Sequence, residues 1–168
     1  MVKRDSQLKE LVKWRPGLQS RVEGANKALI DSSSNYASHN YLLSRPMPRN
    51  TAAYHAVCKS LGGYLVESAN KKELHFLESI LLGNNVDEDV ALGVTDDAKT
   101  GVWVGMESGA RMTYFNWWAG RPSGGAKDSC LYMRRDMSFM SHDGTHVGMV
   151  DSPCTGQDFA RFVCEVHI

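Results

Sequence analysis

The residues best placed for chemistry lie between Asn116 and Cys130, reading Asn-Trp-Trp-Ala-Gly-Arg-Pro-Ser-Gly-Gly-Ala-Lys-Asp-Ser-Cys. Arg121 brings a permanent charge and a planar fork of donors suited to a carboxylate, and Ser123 and Asp128 offer hydrogen bonds. Pro122 lacks an N–H and glycines crowd around it, so an aromatic strand end feeds a long irregular loop; loops on a rigid scaffold are where binding is placed. Successive strand residues point to opposite faces. With Trp117 inward, Trp118 points outward, either to stack on the apolar face of a pyranose or to cover the base of the loop. This is the chemistry of recognition. No Ser-His-Asp pattern, nucleophile elbow, phosphate loop or paired-carboxylate cleft accompanies it, and the six histidines sit in unrelated contexts, so no enzyme is expected. His142 and His146 with Asp143 and Asp151 raise a zinc site, but Gly144 opposes a helix that would bring both imidazoles to one face. No metal and no cofactor is assigned. Lys127, Arg134 and Arg135 could join Arg121 in a basic surface, although Asp128 and Asp136 interleave with them.

The composition narrows the classes further. A chain of 168 residues, 42% hydrophobic, suffices for one domain with a core and an appendage. Nineteen Lys and Arg balance nineteen Asp and Glu, so whole-molecule steering toward nucleic acid or an anionic membrane has no support. No apolar run approaches the ~18–20 residues that span a bilayer. The start, Met-Val-Lys-Arg-Asp-Ser-Gln, lacks a signal-peptide core, so any secretion signal is expected to be already removed or never present. The four cysteines include no Cys-x-x-Cys and none with His at zinc spacing; they read as disulfides, in any of three pairings.

The elements that must position the loop are short. Leu8, Leu11, Arg15, Leu18, Val22, Ala25 and Leu29 recur at a spacing that would draw one helical stripe, a candidate coiled-coil neck, but Pro16-Gly17 interrupts it. Asp31-Ser32-Ser33-Ser34-Asn35 reads as a linker, which divides an N-terminal helical extension and linker at 1–35 from a domain at 36–168. Tyr41-Leu42-Leu43 reads as a first strand. Thr51 to Leu61 reads as a helix capped by Asn50 or Thr51, with Ala53, Val57 and Leu61 on one face, stopped by Gly62-Gly63. Tyr64 to Glu67 is a strand. Asn70-Lys71-Lys72-Glu73 opens a second helix with a Leu74, Leu77, Leu81 stripe, ended by Gly83-Asn84. Ala91 to Val94 and Val102 to Val104 read as buried strands. Two helices followed by short strands and loops give an α+β arrangement.

One ordered set of strings runs through these elements: Cys58, Gly62-Gly63-Tyr64-Leu65-Val66, Leu92-Gly93-Val94-Thr95-Asp96, Gly101-Val102-Trp103, Tyr114-Phe115-Asn116-Trp117, Gly120-Arg121-Pro122-Ser123, Asp128-Ser129-Cys130, Asp151-Ser152-Pro153-Cys154 and Phe162-Val163-Cys164-Glu165. Over roughly residues 36–168 it resembles the C-type lectin-like domains. The resemblance implies a C-type lectin-like α+β fold with two helices, short antiparallel sheets, a long loop region and two disulfides, Cys58–Cys164 and Cys130–Cys154. It also implies a buried Trp117, a cis bond before Pro122, and a secreted, extracellular protein. The implied ligand is a glycan or glycoprotein held by Trp118, Arg121, Ser123, Asp128 and Asp151; the alternative is a protein ligand or a role in extracellular matrix. The N-terminal segment offers a route to a homo-oligomer. In the family a calcium ion bridges protein and sugar. Here Arg121 stands where its first acid belongs, Ser123 replaces the amide or acid after Pro122, and Val150 offers no side-chain oxygen, so calcium-independent recognition is expected. At the family's auxiliary calcium position Asp96 is kept, while Thr100, Gly124 and Ser129 replace acids. Arg121 is expected to pair with Asp128, Asp151 or both and to restrain the loop in place of the ion.

Overall fold

The serine-rich run at 31–35, expected as a linker, is a strand. Two residues, Ala37 and Ser38, with φ of 47° and 65°, turn the chain back on itself, and β1 (Ile30–Tyr36) pairs antiparallel with β2 (His39–Ser44). Polar composition suggested a loop; a partner one turn away makes a ladder, because the left-handed pair at the turn matches the twist of the strands it joins. The computed structural model describes Arg21 and residues 24–68, 70–136 and 146–168. Most of the expected N-terminal stripe, with Pro16-Gly17 and the oligomer assigned to it, lies outside the described residues, as does the stretch from 137 to 145 with His142 and Asp143.

The next elements are β3 (Met47–Asn50), helix α1 (Thr51–Ser60), β4 (Gly63–Leu65), helix α2 (Lys71–Gly83), β5 (Asp89–Thr95), β6 (Val104–Gly105), β7 (Cys130–Arg135), β8 (Val147–Ser152) and β9 (Thr155–His167). Asn50 caps α1 by accepting from Ala53 N–H at 3.0 Å, and Asn70 caps α2 by accepting from Glu73 N–H at 3.0 Å. Helix α2 buries Leu74, Leu77 and Leu81 as its spacing predicts. Helix α1 does not bury the predicted face. Thr51, Tyr54 and Cys58 are inside, whereas Ala53 is exposed and Val57 and Leu61 are only partly covered. The disulfide decides this: Cys58 is tied to Cys164 on β9, which turns toward the sheet the residues one and two turns before it.

The sheet order is β1-β2-β9-β5-β7-β8, with β3 and β4 also on β9 and β6 on β5. Strand β9 is the spine, antiparallel to β2, β3 and β4 and parallel to β5. One cluster of the core packs α2 against β5, β7 and β8 through Leu74, Leu77, Leu81, Leu92, Leu131 and Met149. A second packs α1 against β9 through Tyr54, Cys58, Phe162 and Cys164, with Tyr54 and Phe162 stacked at 4.6 Å. Both expected disulfides are present, the second joining Cys130 to Cys154 across β7 and the end of β8. The loop from 106 to 129 is thus held at one end by β6 and at the other by a cross-linked β7–β8 pair. Among the described residues no helix is long and apolar enough to cross a membrane.

Candidate functional site

Strand β8 organises the loop. Met149 receives Trp118 N–H on its carbonyl at 2.9 Å and donates its own N–H to Asn116 O at 2.6 Å, so the 116–118 segment lies along β8. Asn116 reaches further, donating from Nδ2 to Val147 O at 3.0 Å and to the Glu78 carboxylate of α2 at 3.2 Å. Trp117 is partly buried, stacked on Phe115 at 5.1 Å and tilted against Trp103 at 5.7 Å.

Trp118 does not point outward into solvent. Its ring is partly buried against Gly148, whose lack of a side chain makes the room, and its indole N–H donates to Arg134 O at 3.2 Å. Trp117 and Trp118 do face opposite ways, Trp117 packing on the cluster under α2 and Trp118 on the cluster under α1, but the side that Trp118 meets is itself partly covered. Of the two readings of Trp118, covering the loop base is the one the geometry carries.

The centre of the loop is Asp151. Its side chain is 1% exposed, and three N–H donors close around it. Ser123 N–H reaches both oxygens, at 3.0 and 2.8 Å, and Gly124 N–H reaches Oδ2 at 2.7 Å. Arg121 Nη1 donates to Oδ1 at 3.1 Å and also to the Asp151 backbone oxygen at 3.0 Å and Ser123 Oγ at 2.9 Å. Burial works to raise the pKa of this carboxyl, but the backbone donors of Gly124 and Ser123 and the Arg121 guanidinium outweigh it and hold the pKa below the ordinary range. The bond between Arg121 and Pro122 is cis. Asp128 is half-buried beside Gly124 rather than in the pair with Arg121, and Ser123 and Lys127 are exposed.

The residues present do not fit a calcium ion at this position. A hard cation takes about six to eight oxygens; the Asp151 carboxylate is already met by N–H groups, and Arg121 puts a positive charge beside it. The auxiliary position fares little better. Asp96 is 5% exposed with Oδ2 accepting from Gly101 N–H at 2.8 Å, and Oδ1 is left without a hydrogen-bond partner. Ser129 spends its hydroxyl on Ala126 O, and Thr100 and Gly124 supply no carboxylate.

Sequence reasoning missed a buried ion network behind the loop. Arg49, 7% exposed, donates to Asp89 at 3.0 Å and to Asp158, and its guanidinium lies 4.3 Å over the Tyr132 ring. Arg134 clasps the same Asp89 with two bonds, at 2.7 and 2.8 Å. Burial pushes the Asp89 carboxyl up, and the two guanidinium groups bring it down below its ordinary value. The basic surface suggested by Arg121, Lys127, Arg134 and Arg135 therefore does not form as an anion site: Arg134 is spent on Asp89, Arg135 on Asp87 and Arg121 on Asp151. A cavity of about 430 Å³ lies away from the 116–130 segment, lined by Tyr64, Glu67, Glu73, Arg111, Met112 and Glu165 among others.

The lectin C-type domain family model matches residues 48–166. Among solved structures, human lithostathine is 24% identical, with 82% of this chain and 98% of that chain covered and a TM-score of 0.65. The carbohydrate-recognition domain of the mouse scavenger receptor C-type lectin is 20% identical over 80% of this chain and 93% of that one, TM-score 0.62. Herring type II antifreeze protein is 18% identical over 81% and 96%, TM-score 0.62. No curated protein sequence matches the chain significantly. With the disulfide pairing and a family model that spans most of the chain, this protein belongs to the C-type lectin domain family.

Proposed function

We infer that the chain is a secreted, extracellular and non-catalytic binding module that recognises a carbohydrate, free or on a glycoprotein, at the face of its 116–130 loop, without calcium at the position where the family bridges protein and sugar. The observation that carries this reading is the saturation of Asp151 by Ser123 N–H, Gly124 N–H and Arg121. In place of a metal, the loop is held from within, and Ser123 Oγ and the Asp128 carboxylate remain near the surface as hydrogen-bonding groups for sugar hydroxyls. Two disulfides suit an oxidising compartment. Two of the similar structures bear on the reading: one is described as a C-type lectin domain in complex with N-glycan and another as a calcium-independent type II antifreeze protein.

A second reading, a protein ligand, is favoured by the partial burial of Trp118, whose indole N–H is spent on Arg134 O and whose ring is less available as a stacking platform. A glycan array run with and without chelator separates the two. Sugar binding that persists in chelator and falls with Ser123→Ala or Asp128→Asn supports the first reading; an array with no signal in either buffer rejects it in favour of the second.

A further inference from the structure

The turn at Ala37-Ser38 places His39 at the start of β2, directly across from His167 on β9. Ile168 N–H donates to Ser38 O at 3.4 Å, just outside that pair. The His39–His167 pair is therefore of the non-hydrogen-bonded kind, in which facing Cα atoms approach to about 4.5 Å and side chains lie closest. The ring centroids are 4.1 Å apart and the two Nε2 atoms 3.2 Å apart. His39 Nδ1 lies 3.0 Å from Ala37 O. A carbonyl only accepts, so Nδ1 carries the proton, and a neutral His39 presents Nε2 as a bare lone pair turned toward His167. Beside it stands a carboxylate oxygen of Glu165, 3.5 Å from the same Nε2 and on a side chain 7% exposed.

These separations have a chemical meaning. Zinc binds imidazole at about 2.0–2.1 Å in tetrahedral geometry, which sets neighbouring donor atoms about 3.3 Å apart. The Nε2–Nε2 distance of 3.2 Å is close to one edge of such a tetrahedron. A backbone carbonyl on the far nitrogen of a ligating imidazole is the usual device that fixes its tautomer and aim. We propose that His39 and His167 form a cross-strand clip for a borderline divalent transition-metal ion, zinc being the representative, with the Glu165 carboxylate supplying negative charge beside it. Among the described residues no group of three or more His, Cys, Asp or Glu side chains is placed to hold a metal ion, so Glu165 is not counted as a ligand. The clip accordingly has two protein donors, and water fills the remaining positions. Sequence spacing could not reveal it, since the two histidines are 128 residues apart.

Zinc chloride titrated calorimetrically into the full chain, without an affinity tag, tests the clip. One ion per chain should bind, and His39→Gln or His167→Gln should each weaken binding at least as much as the about 10–100-fold seen on losing an outer-shell partner. His142→Gln with His146→Gln should leave it unchanged. Zinc should also raise the Tm of the unaltered chain, because the metal joins β2 to β9 and binds only when they are paired. As a readout that needs no variant, zinc should shield His39 and His167 of the unaltered chain from diethyl pyrocarbonate. Absence of saturable binding, affinity in the His39 and His167 variants unchanged from that of the unaltered chain, loss of binding only in the His142/His146 variant, or unchanged modification of both residues would each overturn the proposal.

Discussion

At Asp151 a buried negative charge is met by three N–H donors, and its pKa is held low by them against burial. A carboxyl with a depressed folded pKa contributes stability that is complete above its unfolded value of about 3.9 and is lost as the pH falls through the folded value. Asp89 and Asp158, depressed by Arg134 and Arg49, act in the same direction. Thermal midpoints measured from neutral pH downward should therefore hold until about pH 4 and then drop steeply, with a shallower fall in Asp151→Asn. Arg121→Ala should cost about 1.5–3 kcal/mol, the range for a hydrogen bond to a charged group, because the carboxylate keeps its backbone donors. Arg49→Ala should cost more, about 3–5 kcal/mol, since it uncovers a buried ion pair with Asp89. Denaturant unfolding of the variants checks both values and their order. The Arg121–Asp151 pair was legible because both residues sit in strings that resemble family motifs. The Arg49–Asp89–Arg134–Asp158 network was not: its members are 40, 45 and 109 residues from their partners and carry no local signature.

At the level of elements, caps and stripes read well from sequence where the signal is local, as at Asn70 and the leucines of α2. Asn70→Ala should destabilise by about 1 kcal/mol through the lost cap. Two elements misread for a shared reason. Which face of α1 is buried depends on Cys58 and its distant partner, and the strand character of Ser32 to Ser34 depends on β2. Trp118 shows the same dependence, its orientation being set by Gly148 and Arg134 on neighbouring strands. The Ala37-Ser38 turn holds two residues with side chains in the left-handed region, each at a cost of about 1–2 kcal/mol. Replacing the pair with Asn-Gly, the residues this turn favours, should raise the thermal midpoint by several degrees, and scanning calorimetry would show it.

Across the whole molecule, the two disulfides close loops of very different length, Cys58–Cys164 at a separation of 106 and Cys130–Cys154 at 24. In the chain-entropy model the longer is worth about 4–5 kcal/mol and the shorter about 3. Paired alanine variants should rank in that order, with the shorter deletion acting chiefly on the loop whose C-terminal end it holds. The fold and the disulfide pairing could both be read from the family strings. The ligand could not, because the groups that would distinguish a sugar from a protein surface depend on how Trp118, Ser123 and Asp128 are turned. The claim that the loop is held without calcium at Asp151 is tested most directly by calorimetric titration of calcium into chelator-treated protein, up to the about 0.1–1 mM range in which extracellular modules bind it. No stoichiometric heat assignable to Asp151 is expected; an isotherm of one calcium per chain that Asp151→Asn abolishes would contradict the claim.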